Sequence, residues 1–181
     1  MRIHLLPFAV LFAASATWAQ SPSEQASQVC LYVDNMPGMN PWMTDAHRER
    51  IRTKLTTVVN KSGSMQAGLG SFVLYPQVDI ADVSVNDAGM KPITVAKLEA
   101  VLSIARLDHL DAPLSKPGTV FNSLTVQLIG TGKDTATAVN DAIGKIQPSD
   151  PNIGKFLKES RERIMTYYQE HCNEVVNEGV R

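Results

Sequence analysis

The sequence predicts an α+β domain: an antiparallel sheet of about four strands with helices on one face, in the order β-α-β-β-β-α-α. Three observations predict it. Several stretches between Ser71 and Gly130 alternate apolar and polar residues with the period of a strand, and stretches behind Thr44, Asp134 and Asp150 repeat apolar residues at helical spacing. The strand-like stretches also follow one another through short or moderate connections, which favours antiparallel pairing.

The elements follow in order. Val29-Cys30-Leu31-Tyr32-Val33 is short, β-branched and aromatic, with Val29, Leu31 and Val33 on one face, and reads as a strand. Asp34 to Trp42, rich in Pro, Gly, Asn and Met, reads as a loop. Thr44 or Asp45 can cap a helix that carries Ile51, Leu55, Val58 and Val59 on one side and stops at Ser62-Gly63. Beyond a Gly-rich connector, Phe72, Leu74, Val78 and Ile80 share one parity while Val83 and Val85 share the other. One long strand with a bulge near Ala81-Asp82 accounts for the change. Asn86 to Gly89 supplies turn chemistry. In the stretch Ile93 to Leu107, Ala96, Leu98, Ala100, Leu102 and Ile104 alternate, although Ala, Lys, Leu and Glu are good helix formers. Its place after a hairpin-like turn and before another strand decides for a strand. A loop with Pro113 and Pro117 leads to Val120, Leu124, Val126 and Leu128, a last strand that Gly130-Thr131-Gly132 is expected to break. Asp134 or Thr135 then caps a helix bearing Val139, Ala142, Ile143 and Ile146. Asp150-Pro151 opens a final helix with Ile153, Phe156, Leu157, Ile164, Tyr167 and Tyr168 along one side, and the polar residues Asn173 to Arg181 are expected to fray.

Residues 1–19 have the order of an export signal: a basic start at Arg2, an apolar run from Leu5 to Ala16, and small residues at Thr17 and Ala19 before Gln20. The run is about a dozen residues where roughly 20 are needed to span a bilayer, so it predicts a cleavable signal and no retained anchor. Residues 20–181 are then one globular domain, soluble in the periplasm or outside the cell. Its 17 basic and 18 acidic residues leave a net charge of -1 with no long run of either sign, which excludes the basic face of a nucleic-acid binder.

Cys30 and Cys172 are the only cysteines. In an oxidising compartment an even pair without metal-ligand spacing reads most simply as a disulfide. It closes a loop of 142 residues (172 minus 30), for which the chain-entropy picture allows roughly 5 kcal/mol at most. The alternative, a redox or nucleophilic thiol, would need a charge partner such as His171 brought close in space.

Three pieces, Phe72-Val73-Leu74-Tyr75-Pro76-Gln77-Val78, the Gly130-Thr131-Gly132 entry into an Ala-rich helix, and Ile164-Met165-Thr166-Tyr167-Tyr168-Gln169-Glu170-His171-Cys172, resemble a group of exported proteins of unknown function from Gram-negative bacteria. The resemblance implies an envelope or secreted domain with a cysteine near its start and another after a Tyr-Tyr helix end. It brings no catalytic residues. More distantly, the strand, Gly-x-Gly and Ala-rich helix are similar to modules that assist curli export or flagellar assembly, which implies an assembly or interaction role. This chain departs from the lipoprotein members in lacking a lipidation cysteine.

The search for chemistry ends without a catalytic set. There is no HExxH, CxxC or Gly-x-Ser-x-Gly, the Asp108-His109-Leu110-Asp111 cluster reads as a polar loop, and Gly130 to Thr135 lacks the full phosphate-loop pattern. Asp79 and Asp82 would share a face only if the bulge lies between them. No metal or cofactor is expected. The most unusual stretch is Met36 to Met43. Met36, Met39, Trp42 and Met43 could offer an adaptable apolar contact to a partner, could bind copper(I) through thioethers, or could fold back over the core. The leading expectation is an exported, non-enzymatic domain that binds a protein or cell-envelope component. The alternative is a hydrolase acting on peptidoglycan or other glycans, followed by a metal-handling protein.

Overall fold

A computed structural model describes residues 29–34, 42–87, 89, 91–107 and 120–170. The expected signal segment, Met36, Met39, the Asp108 to Asp111 cluster and Cys172 lie outside the described residues. The elements are β1 (Cys30–Val33), α1 (Asp45–Lys61), β2 (Gln66–Ala67), β3 (Phe72–Asn86), β4 (Ile93–Arg106), β5 (Val120–Gly132), α2 (Thr135–Gly144) and α3 (Pro151–Glu170).

The class is α+β, but the sheet is mixed and has five strands, in the order β2-β1-β3-β4-β5. Two corrections to the sequence expectation follow. The two-residue β2 is an additional strand, too short to carry any periodicity. The second concerns β1, which runs parallel to both neighbours, pairing Leu31 with Phe72 and Val33 with Leu74. The 17-residue α1 causes this: at 1.5 Å per residue it spans about 25 Å, carrying the chain back so that β3 begins at the end where β1 began. From β3 onward the pairing is antiparallel as expected.

The ambiguous stretch from Ile93 is a strand, and the parity change in β3 is a bulge between Ile80 and Asp82. Gly130-Thr131-Gly132 does not break β5, which runs to Gly132. These glycines serve packing, because a Cβ on Gly130 would sit 2.1 Å from the Ala138 carbonyl oxygen and 2.2 Å from the Ala142 nitrogen. Their missing side chains let α2 lie directly on the strand.

Among the described residues, all three helices put their apolar sides into one core with the sheet. Ile51, Leu55 and Val59 of α1, Val139 and Ile143 of α2, and Ile153, Leu157 and Ile164 of α3 meet Leu31, Leu74, Leu98 and Ile104. The helix starts are fixed where capping chemistry predicts. Thr44 accepts from the His47 N–H (3.3 Å) while His47 Nδ1 accepts from the Thr44 N–H (3.4 Å). Asp134 accepts from Thr137 (2.7 Å) and Asp150 from Asn152 (2.8 Å). On the other face of the sheet, Val73, Tyr75 and Ala105 are buried outside the main cluster.

Candidate functional site

The most chemically diverse region is the end of the sheet where β3 begins, β4 finishes, β5 starts and the last turns of α3 come down. Phe72 is the centre of an aromatic group. Its ring meets Phe121 (5.5 Å, 70°) and Tyr168 (5.6 Å, 89°) edge to face, and Phe121 meets Tyr167 likewise (5.4 Å, 78°). Edge-to-face contacts at this spacing bring the positive rim of one ring to the negative face of the next. Tyr167 and Tyr168 are consecutive, so they point to different sides of α3 and spread the cluster over Phe121 and Phe72 together.

Two arginines tie the cluster to the backbone frame. Arg106, the last residue of β4, donates to the Tyr167 hydroxyl, and its guanidinium lies 5.5 Å from the centre of the same ring, within cation–π range. Arg163, one turn before Tyr167, donates to the Phe121 carbonyl oxygen at 2.8 Å. Beneath them, Asn122 donates to the buried Ser160 hydroxyl (3.2 Å), which itself donates to the Phe156 carbonyl (2.6 Å). Burial pushes the Tyr168 hydroxyl above its ordinary value, so that ring stays neutral and can donate near neutral pH.

A hollow opens on each side of this cluster. One, about 420 Å³, is lined by Cys30, Gly70, Phe72, Met165 and Tyr168. The other, about 370 Å³, is lined by Phe121, Tyr167, Arg163 and the carboxylates Glu159, Glu162 and Glu170. Gly70 presses on Cys30 so closely that a Cβ there would come within 2.7 Å of the Cys30 carbonyl oxygen.

The residues singled out from sequence are distributed as follows. Cys30 is half-buried on β1 at the edge of the first hollow. Trp42 is partly buried against the core with its ring 5.8 Å from His47, and Met43 is 4 % exposed within the core cluster, the core-cover reading of that segment at this position. Asp79 and Asp82 do share a face: the bulge places Asp79 opposite Glu99 and Asp82 opposite Lys97, with the Lys97 ammonium 3.9 Å from the Asp82 carboxylate. Among the described residues, no three His, Cys, Asp or Glu side chains converge to hold a metal.

Sequence reasoning missed Phe121, Arg106 and Arg163. Arg106 and Arg163 are 57 residues apart (163 minus 106) and join the same aromatic cluster, through Tyr167 and the Phe121 carbonyl, only because α3 packs across the strand ends. One local signal existed, the Arg163 to Tyr167 spacing of four, which places both on one side of a helix.

No family model matches the chain, and no curated protein matches it. Among solved structures it is similar to a candidate lipoprotein from Caulobacter crescentus CB15 (TM-score 0.36, 11% identity, covering 80% of this chain and 88% of that one). It is also similar to the hypothetical protein CT253 from Chlamydia trachomatis (TM-score 0.29, 11% identity, covering 77% of this chain and 97% of that one). At these scores neither defines a family for the chain.

Proposed function

We propose that this chain is an exported, non-enzymatic domain that binds a protein or a cell-envelope component. The observation that carries the reading is the aromatic–arginine cluster of Phe72, Phe121, Tyr167, Tyr168, Arg106 and Arg163 between two hollows, because Tyr and Arg are the residues that most often anchor protein contacts. Both tyrosines remain partly exposed, so a ligand can reach them. The signal-like order of residues 1–19 supports export, and no helix among the described residues is long and apolar enough to cross a membrane. The test is a native pull-down of the purified chain against an envelope fraction, repeated with Tyr167→Ala. A partner retained by the wild type and lost at least about tenfold with the variant supports the reading. Equal retention by both removes this cluster as the contact surface.

The Cys30–Cys172 disulfide belongs to the same proposal. Cys172 follows the last described residue of α3 by two positions, and Tyr168, four positions before it in sequence, lines the same hollow as Cys30. Alkylation of the unreduced protein should leave both cysteines unlabelled; two labelled thiols would exclude the bridge.

A second reading, a hydrolase acting on peptidoglycan or other glycans, is favoured by the three carboxylates around the hollow beside Phe121. Release of soluble fragments from purified peptidoglycan, lost with Glu162→Gln, would support it.

A further inference from the structure

The start of α1 carries a histidine where a fixed acceptor is usual. A capping box pairs an N-cap Ser or Thr with a Glu or Gln three residues on, and the third residue after Thr44 is His47. Its Nδ1 accepts from the Thr44 N–H at 3.4 Å, so that nitrogen carries no proton. The same ring packs on Trp42, with 5.8 Å between ring centres and a tilt of 45°. One imidazole therefore closes the helix start and covers an indole.

The surroundings favour the neutral ring. A helix N-terminus repels a cation, and burial, followed by the Arg50 guanidinium, holds His47 below its ordinary value of 6.5. The other charges nearby have partners of their own. On α1, Arg48 binds Asp45 and the Met43 carbonyl (2.9 Å), and Glu49 binds Arg52. From α2, which packs against α1, Asn140 accepts from Arg50 (3.0 Å) and Asp141 pairs with Lys145 (3.5 Å). Among the described residues no carboxylate pairs with His47. Trp42 is the looser of the two rings' anchors: its Nε1 is buried without a hydrogen-bond partner, a cost that contact with water removes.

We propose that His47 is an acid-operated latch on Trp42. Protonation turns Nδ1 into a donor that faces the donor N–H of Thr44, so the bond breaks, the ring swings to solvent and the indole is uncovered. Met43 stays in the core with its carbonyl held by Arg48, which confines the motion to the two side chains. The closed latch holds the neutral ring, so its contribution is complete above 6.5 and is lost as pH falls below that value. One effect opposes opening: an imidazolium beside an indole gains cation–π attraction, which the 45° tilt limits. The latch stands apart from the binding role proposed above, which uses the aromatic cluster.

The test is acrylamide quenching of Trp42 fluorescence in the full chain carrying Trp18→Phe, which leaves one tryptophan whether or not residues 1–19 are removed. The quenching constant should rise at least about twofold between about pH 7.5 and about pH 5, with a midpoint below 6.5 and unchanged circular dichroism. His47→Gln restores the usual capping-box acceptor, which takes up no proton in this range, so quenching should become independent of pH. Should that variant misfold, the Thr44 amide proton shift of the parent protein reads the same bond and should move with the same midpoint. A flat response in the parent overturns the latch, and so does a midpoint above 6.5, where the cation–π contact would outweigh the cap. A rise that survives His47→Gln, or a Thr44 amide that ignores the transition, overturns it as well.

Discussion

Helices α2 and α3 cover the two ends of one strand, and they reach it by opposite means. At the Gly130–Gly132 end, α2 lies backbone on backbone: the space a Cβ of Gly130 would occupy is already taken by the Ala138 carbonyl and the Ala142 nitrogen. At the Phe121 end, α3 stands off, and the gap is filled by rings in edge-to-face contact and by polar links through Arg163, Asn122 and Ser160. The difference teaches where each contact is vulnerable. A backbone-on-backbone seat fails when one methyl is added, since main chain cannot swing aside. A ring-filled gap tolerates small additions and fails when a ring is taken away.

The largest effect is therefore expected from Gly130→Ala. It should cost about 4 kcal/mol or more, because the clash falls on main-chain atoms of α2. Urea unfolding measures it, and amide exchange should show α2 losing protection before α3. Gly132→Ala meets the Thr137 side chain as well as backbone, at 2.6 Å, and should cost less, about 2 kcal/mol. A Gly130→Ala protein of wild-type stability would mean that α2 does not seat on β5 as described.

On the α3 side the sensitive change runs the other way. Phe72 is buried and holds two edge-to-face contacts, so Phe72→Ala should destabilise by about 3 to 4 kcal/mol, whereas Phe72→Leu, which refills most of the space, should cost about 1 kcal/mol. Equal costs for the two would show that the rings do not fill the gap. Ser160→Ala removes the hydroxyl that Asn122 donates to and should cost about 1 kcal/mol.

The same contrast explains how much could be read from the sequence. Each long element was legible, down to the β3 bulge, because apolar periodicity and capping residues are local signals: Thr44, Asp134 and Asp150 all cap as their sequences suggest. The parallel placement of β1 was not, since it depends on how far α1 carries the chain. Gly130 and Gly132 were visible as glycines, but a glycine kept for close packing looks in sequence like one kept for a turn. The aromatic cluster was half legible: Tyr167 and Tyr168 mark the buried side of α3, while Phe121, Arg106 and Arg163 join them only through tertiary packing.

The smallest expected effect separates the two helices by acid. Two carboxylates hold the α2 side. The Thr137 hydrogen bonds depress Asp134 below its ordinary value of 3.8, and the Thr131 N–H does the same for Asp141, assisted by Lys145. A carboxyl whose folded pKa lies below its unfolded value contributes stability that is present above the unfolded value and is lost as pH falls through the folded one. The α3 links to β5 run through the Arg163 guanidinium, Asn122 and Ser160, with no carboxylate among them. As pH falls below about 4, α2 should therefore lose amide-exchange protection ahead of α3. Asp141→Asn should keep an acceptor for the Thr131 N–H while flattening part of that pH dependence. If both helices loosen at the same pH, with or without the substitution, the carboxylates do not set the difference between the two seats.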